Sequence, residues 1–278
     1  MRELHTLLQR LPAAPAVLVT VARAAGSVPR EVGAWMAVFG DAIVGTIGGG
    51  QLEHQAIARA RALLQGQGDG DGALHRYPLG PSLGQCCGGV VHLRFERLDA
   101  SKTEAVRARL ATPARPLSLF GGGHVGRAIV QLVGDLPFDL LWIDSRDEVF
   151  PPELPPNVRC EHSDPVQRAV ADLAPGSQVL VMSFSHAEDL EIVAACLRRQ
   201  RERGDLPFIG LIGSRSKWAS FGRRLLARGF SAAELERVTC PIGLPGIRGK
   251  QPAVVALAVV AQLLQAGVGD GAEARNRR

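Results

Sequence analysis

Three glycine-rich segments and one pair of adjacent thiols hold the residue types best suited to chemistry in this chain. The first segment, Gly45-Thr46-Ile47-Gly48-Gly49-Gly50-Gln51-Leu52-Glu53, leads from a β-rich stretch into a helical one. Consecutive glycines ahead of a helix gather backbone N–H groups that can receive an anion or lie against a planar ligand. The same glycines could equally relieve a crowded strand–helix turn. No Gly-Lys-Ser/Thr follows, so this is not a Walker A loop. The second segment, Leu79-Gly80-Pro81-Ser82-Leu83-Gly84-Gln85-Cys86-Cys87-Gly88-Gly89, sets Cys86 and Cys87 among glycines. Exposed thiolates serve as nucleophiles, metal ligands or sulfur carriers, whereas buried thiols are small apolar fillers. Arg30 follows Gly26-Ser27-Val28-Pro29 and projects from a rigid turn, either to pair with a phosphate or to cover the surface.

The third segment, Leu117-Ser118-Leu119-Phe120-Gly121-Gly122-Gly123-His124-Val125-Gly126, runs from an apolar β-type stretch into G-x-G-x-x-G and then an apolar-faced helix. Asp144 follows about twenty residues on, the layout of a dinucleotide-type βαβ unit. In that layout Gly121 permits the tight turn, Gly123 lets backbone approach a phosphate, and Gly126 lets helix and strand pack closely. Asp144 would accept ribose hydroxyls, and Arg146 could favour an extra phosphate. The fold can also persist without that ligand. His186 and Arg215 follow strand ends, where open α/β sheets place ligands, and join as candidate contacts.

These residues need elements to position them. In the first half, β-rich runs at 16–22, 35–39, 42–45, 73–77 and 90–96 surround a helix over 51–64, apolar at Leu52, Ala56, Ala60 and Leu63. In the second half, strands at 117–120, 139–143, 158–160, 178–182 and 208–212 alternate with helices, which argues for a parallel sheet covered on both faces. The fold class is therefore α/β, a small N-terminal α/β domain followed by a Rossmann-like parallel-sheet domain. The expected boundaries are 1–98 and 116–266, with a linker at 99–115 and a disordered tail at 267–278.

A chain of 278 residues with 46% apolar and 21% charged residues can bury two ordinary cores. The formal charge of +5 is modest, and nine Phe, three Trp and one Tyr are too few for a basic surface interleaved with stacking rings, which speaks against nucleic acid. Residues 1–10 lack the apolar core of a signal peptide and 252–264 are too few to span a bilayer, so no membrane partner is expected. Five cysteines form no C-x-x-C pair, and a reducing cytoplasm is the expected location. The histidines lack metal-site spacing, which speaks against a structural zinc.

The ordered set Gly26-Ser27-Val28-Pro29-Arg30, Gly45 to Glu53, Cys87-Gly88-Gly89, Phe120 to Gly126, Asp144-Ser145-Arg146, Ile212-Gly213-Ser214-Arg215 and Pro241-Ile242-Gly243-Leu244 resembles the XdhC/CoxI family over nearly the whole chain. These are accessory proteins for molybdenum hydroxylases such as xanthine dehydrogenase. The resemblance implies a non-catalytic carrier that binds molybdenum cofactor, protects it during sulfuration and delivers it to apo xanthine dehydrogenase. Its implied partners are that apo-enzyme and a cysteine desulfurase-type sulfurating enzyme, and a homodimer is a reasonable expectation. Carried over by motif, Arg30, Gly48, Gly49, Gly50, Gln51, Glu53, Cys86 and Cys87 would contact the cofactor, with Cys86 or Cys87 near molybdenum. Many relatives have Cys where this chain has Gln51, so the thiol role falls to the Cys86–Cys87 pair. Gly121, Gly123, Gly126 and Asp144 would serve a nucleotide or part of the cofactor. Two other readings stay open, an NAD(P)-dependent oxidoreductase built on the second half and a pure protein-interaction adaptor.

Overall fold

The computed structural model describes residues 2–67, 71–80 and 88–266. The chain divides into two compact units, Arg2–Ala111 and the residues from Thr112 on.

The first unit is built on a five-stranded antiparallel sheet of order β3-β2-β1-β5-β4, from β1 (Ala16–Ala25), β2 (Trp35–Val38), β3 (Ile43–Gly45), β4 (Leu74–Pro78) and β5 (Val90–Leu98). The central strand alternates in the manner that a two-sided sheet demands. Val17, Val19 and Val21 face a core shared with α2 (Gly50–Leu64), whose Leu52, Ala56, Ala60 and Leu63 recur at helical spacing. Ala16 and Leu18 face the opposite core with Leu7, Leu8 and Leu11 from and just after α1 (Arg2–Arg10), and with Val106 from α3 (Thr103–Leu110). The stretch 99–115, expected as a linker, thus contributes most of its length to this unit. Asp99 caps a 3-10 turn at Ala100–Lys102, α3 follows, and Val106 is buried. The sequence carries a short helix and a Pro-punctuated exit here, and the structure has that helix as α3; what differs is that the helix packs on this unit through Val106.

The second unit is a six-stranded parallel sheet of order β11-β10-β9-β6-β7-β8. Its strands are β6 (Arg115–Phe120), β7 (Phe138–Asp144), β8 (Val158–His162), β9 (Gln178–Val181), β10 (Phe208–Leu211) and β11 (Val238–Thr239). All four residues of β9 are buried, as a strand covered on both faces requires. Leu180 joins a core with α4 (His124–Val133) and α8 (Pro252–Ala266). Val179 and Val181 join the other core, with α5 (His186–Arg203) and α6 (Arg215–Ala227). A short α7 (Ala232–Leu235) precedes β11. Chain order runs outward in one direction through β7 and β8 and in the other through β9, β10 and β11. The reversal falls between β6 and β9, the point at which such sheets open a crevice at the carboxyl ends of their strands. Among the described residues no helix is long and apolar enough to cross a membrane.

Candidate functional sites

In the first unit, the loop after β1 meets the loop ahead of α2 and the approach to β5 through glycine. Gly48 has φ +118°, and a Cβ there would lie 2.6 Å from Pro29 Cβ and 3.4 Å from Arg30 Cγ. The loop 26–30 can therefore seat on the loop 46–50 only because position 48 has no side chain. A Cβ on Gly89 would run into the Ser27 carbonyl and lie 2.7 Å from that of Ala25, and one on Gly26 would lie 3.1 Å from Gly89 Cα. The exit of the cysteine segment thus packs against the start of the Arg30 loop. The Arg30 loop touches the 46–50 loop on one side and Gly89 on the other.

The convergence is organised by Glu53. Its Oε2 accepts from Thr46 Oγ1 at 2.5 Å, from the Ile47 amide at 3.0 Å and from the Gly49 amide at 3.1 Å. Thr46 Oγ1 in turn accepts from the Gly48 amide at 3.1 Å. The loop amides expected to face an anion are therefore partly taken by the chain's own carboxylate, and Glu53 shapes the loop from within. Gly50 and Gln51, both exposed, carry the first-turn amides for which a helix has no acceptor of its own. Arg30 is half-buried beside them; its guanidinium donates to Glu31 at 3.1 and 3.2 Å and reaches the Thr46 carbonyl at 3.5 Å. Cys86 and Cys87 lie outside the described residues. The described thiols sit elsewhere: Cys196 is fully buried, and burial pushes it up to about 12, while burial also raises Cys160.

In the second unit the glycine loop has the tight packing that its spacing implies. Gly121 has φ +125°, and a Cβ there would collide with the Met182 carbonyl at the end of β9; one on Gly126 would collide with the Gly121 carbonyl. Gly123 has open space where its Cβ would be, so room remains at the start of α4. Asp144, only 2% exposed, is fully engaged. Its Oδ2 accepts from the Gly122 amide at 2.6 Å and from Arg146 Nη2 at 3.0 Å, and its Oδ1 accepts from the Arg146 amide and Nε, each at 2.9 Å. Burial alone would raise this carboxyl, but the Arg146 guanidinium and the Gly122 amide outweigh it and hold the group below the ordinary carboxylate range. The acid that would read a ribose is bound to its own loop. Arg146 also lies over the Phe184 ring at 4.5 Å, and Ser145 Oγ donates to Glu188 Oε1 at 2.7 Å. Both contacts join the end of β7 to the β9–α5 connection, across the end of β6.

Sequence reading missed a further knot on the same rim. Asp189 Oδ1 accepts from the Ser183 amide and hydroxyl at 2.8 and 2.7 Å, and Oδ2 accepts from Lys217 Nζ at 2.6 Å. Lys217 also donates to the Ile212 carbonyl at 2.8 Å. Both side chains are nearly buried, at 3% and 9% exposure, and brace the exits of β9 and β10 against α5 and α6. A lysine and an aspartate 28 positions apart give no local signal; only the fold pairs them. Of the two strand-end candidates, Arg215 opens α6 on an exposed position, and His186 opens α5 with its ring edge-on to Phe221 at 6.4 Å. Neither is brought to the Asp144 cluster by a contact seen in the structure.

Two substitutions test this geometry. Glu53→Ala strips one acceptor from three donors and should cost about 2–3 kcal/mol, with faster amide exchange at Ile47 and Gly49; unaltered exchange there would contradict the bridging role. Asp144→Asn should cost a similar amount at neutral pH. The depressed carboxyl contributes fully above its ordinary value of 3.8 and loses that contribution as pH falls through its lower folded value. The stability gap between the native chain and Asp144→Asn, followed by urea titration, should therefore close below about pH 4. A gap constant down to acid would show that Asp144 is not held ionised.

Comparison with known proteins agrees with this architecture. The family model for the XdhC Rossmann domain matches residues 117–263 and that for the XdhC and CoxI family matches residues 12–78. A solved structure described as a xanthine dehydrogenase (BH1974) from Bacillus halodurans shares the fold with TM-score 0.76 at 21% identity, covering 98% of this chain and 97% of that one. Uncharacterized protein YqeB of Escherichia coli (strain K12) is 28% identical over 262 residues, which is 90% of this chain; the chain spans only 43% of the length of that curated relative. The second-unit match takes in the β6–α4 glycine loop, Asp144 and the Asp189–Lys217 brace, and the first-unit match takes in Arg30, Gly48 and Glu53. The chain belongs to the XdhC and CoxI family.

Proposed function

We propose that the chain is an accessory protein that holds molybdenum cofactor, shelters it during sulfuration and hands it to apo xanthine dehydrogenase. Family membership supports an accessory role. The observation that carries the finer reading is the meeting of loops 26–30 and 46–51 with Gly88-Gly89 on glycine contacts that no larger residue would permit.

The cargo is a phosphorylated pterin whose dithiolene carries an oxidation-prone metal. It asks for an anion site, a flat surface and a soft donor. Arg30 with the exposed Gly50 and Gln51 amides suits the phosphate. The open, side-chain-free surface at Gly49 suits a ring. Cys86 and Cys87 enter as the soft donors, next in sequence to the Gly88-Gly89 contact. Because Glu53 already satisfies the Ile47 and Gly49 amides, phosphate binding rests on few donors, which suits a carrier that must release what it holds. A cysteine desulfurase-type enzyme would supply the sulfur. The NAD(P)-dependent oxidoreductase reading is weakened by Asp144, whose oxygens are committed to Gly122 and Arg146.

The test is retention of released cofactor through gel filtration. The native chain should carry pterin and molybdenum through the column. Arg30→Ala and Cys87→Ala should each weaken retention by about tenfold, a loss near 1.4 kcal/mol. Cys160→Ala and Cys196→Ala should retain it as the native chain does. Equal retention across all variants would remove the loop site and its thiol from the function.

A further inference from the structure

The second unit carries a recognition feature that the glycine fingerprint does not explain. Ser185 caps α5 and accepts from the Glu188 amide at 3.2 Å. Ser185-x-x-Glu188 is a capping-box sequence, in which the glutamate turns back to the cap residue's own amide. The chain makes that complete box elsewhere, at Ser231 and Glu234. Glu188 instead reaches over the end of β6 to Ser145, with Oε1 accepting at 2.7 Å. Its Oε2 is closed off from solvent and has no hydrogen-bond partner. A buried polar oxygen left so is costly, and a group placed at that cost asks for a donor. Beside it, Phe184 is 68% exposed, with Arg146 over its ring.

We infer that the β6–β9 crevice binds a flat heterocycle through a 2-amino-4-oxopyrimidine edge, read by the Glu188 carboxylate and stacked on Phe184. The chemistry follows from the acceptors. A carboxylate offers two oxygens side by side, and the matching edge carries two adjacent N–H donors. Guanine and pterin present such an edge, an amino group next to a ring N–H. Adenine does not, because its amino group lies beside a ring nitrogen that accepts, and the second carboxylate oxygen would face a lone pair. Oε1 keeps a lone pair beyond the Ser145 bond, so both oxygens can engage. The ligand enters as the exposed Phe184 ring swings out from beneath Arg146; Arg146 keeps its bonds to Asp144 and stays at the mouth as a cation for any phosphate that the heterocycle carries. The site belongs to the second unit alone, independently of what the first unit holds.

The probes are pterin-6-carboxylate, followed by its own fluorescence, and GMP and AMP, followed by calorimetry and by displacement, on the full chain. Saturable quenching of the pterin with little competition from GMP identifies a pterin site. GMP binding without pterin quenching identifies a guanine site. In either case AMP should bind at least about tenfold more weakly, because the mismatched edge leaves buried polar groups unpaired. Glu188→Gln keeps an acceptor for Ser145 but replaces the other oxygen with a donor, and should weaken the bound probe by about tenfold or more. Phe184→Ala, at an exposed position that no core depends on, should do the same and remove the stacking quench. Binding of neither pterin nor GMP, AMP binding as tightly as GMP, or unchanged affinity in both variants would overturn the assignment.

Discussion

In each unit a glycine loop is held in shape by a carboxylate of the same chain, and the surface that the loop can offer depends on that arrangement. Glu53 Oε2 gathers the Thr46 hydroxyl and the Ile47 and Gly49 amides, which fixes Gly48 where only a hydrogen fits against Pro29. Asp144 gathers the Gly122 amide together with the amide and guanidinium of Arg146. Glycine loops ahead of helices are usually read as anion receivers. Here the anion is partly internal, so an incoming phosphate meets a cradle whose strongest donors are already in use. The groups left over are Arg30 and the exposed start of α2 in one unit, and the Gly123 opening and the Phe184–Glu188 rim in the other; the two proposals above rest on them.

The second unit keeps the frame of a nucleotide-type sheet and ties its strand exits together with side chains of its own. The strand order reverses between β6 and β9, and Gly121 and Gly126 make the close approaches that the fingerprint requires. Two cross-links then span the end of β6, one from Arg146 to Phe184 and one from Ser145 to Glu188. The buried Asp189–Lys217 pair stiffens the adjoining strand exits. A buried ion pair is weak support for stability, since desolvation offsets its attraction; its clear consequence here is positional, because the exits of two strands and the starts of two helices share one pair of charges.

Periodicity and glycine placement made most of the fold legible in sequence. Leu52, Ala56, Ala60 and Leu63 marked α2, and the alternation of apolar runs with helical stretches marked the parallel sheet. The family resemblance, carried by motif order, is met by the two family matches. The short helix at 99–115 was legible but not its attachment, because α3 joins the first unit through a single buried anchor, Val106. Side-chain roles were harder to see. Glu53, expected as a ligand contact, also organises its own loop through Oε2, and nothing in a linear motif shows that a carboxylate faces its own backbone. Phe184 and Glu188 were visible only as part of a strand-end stretch, and Lys217 gave no sign of its partner. Cys86 and Cys87 fall outside the described residues, so their part rests on motif and on their place beside Gly88-Gly89.

The proposed role makes the amino-terminal loops a temporary berth for molybdenum cofactor, in a chain that pairs this small unit with a Rossmann-like one. The most direct test is the content of the native protein as isolated, gently and without added ligand, from cells that make the cofactor. Molybdenum and pterin should then be found in equal amounts, both eluting with the chain and both absent when it is isolated from cells that cannot complete the cofactor. A chain that comes out of producing cells carrying neither metal nor pterin would contradict that role.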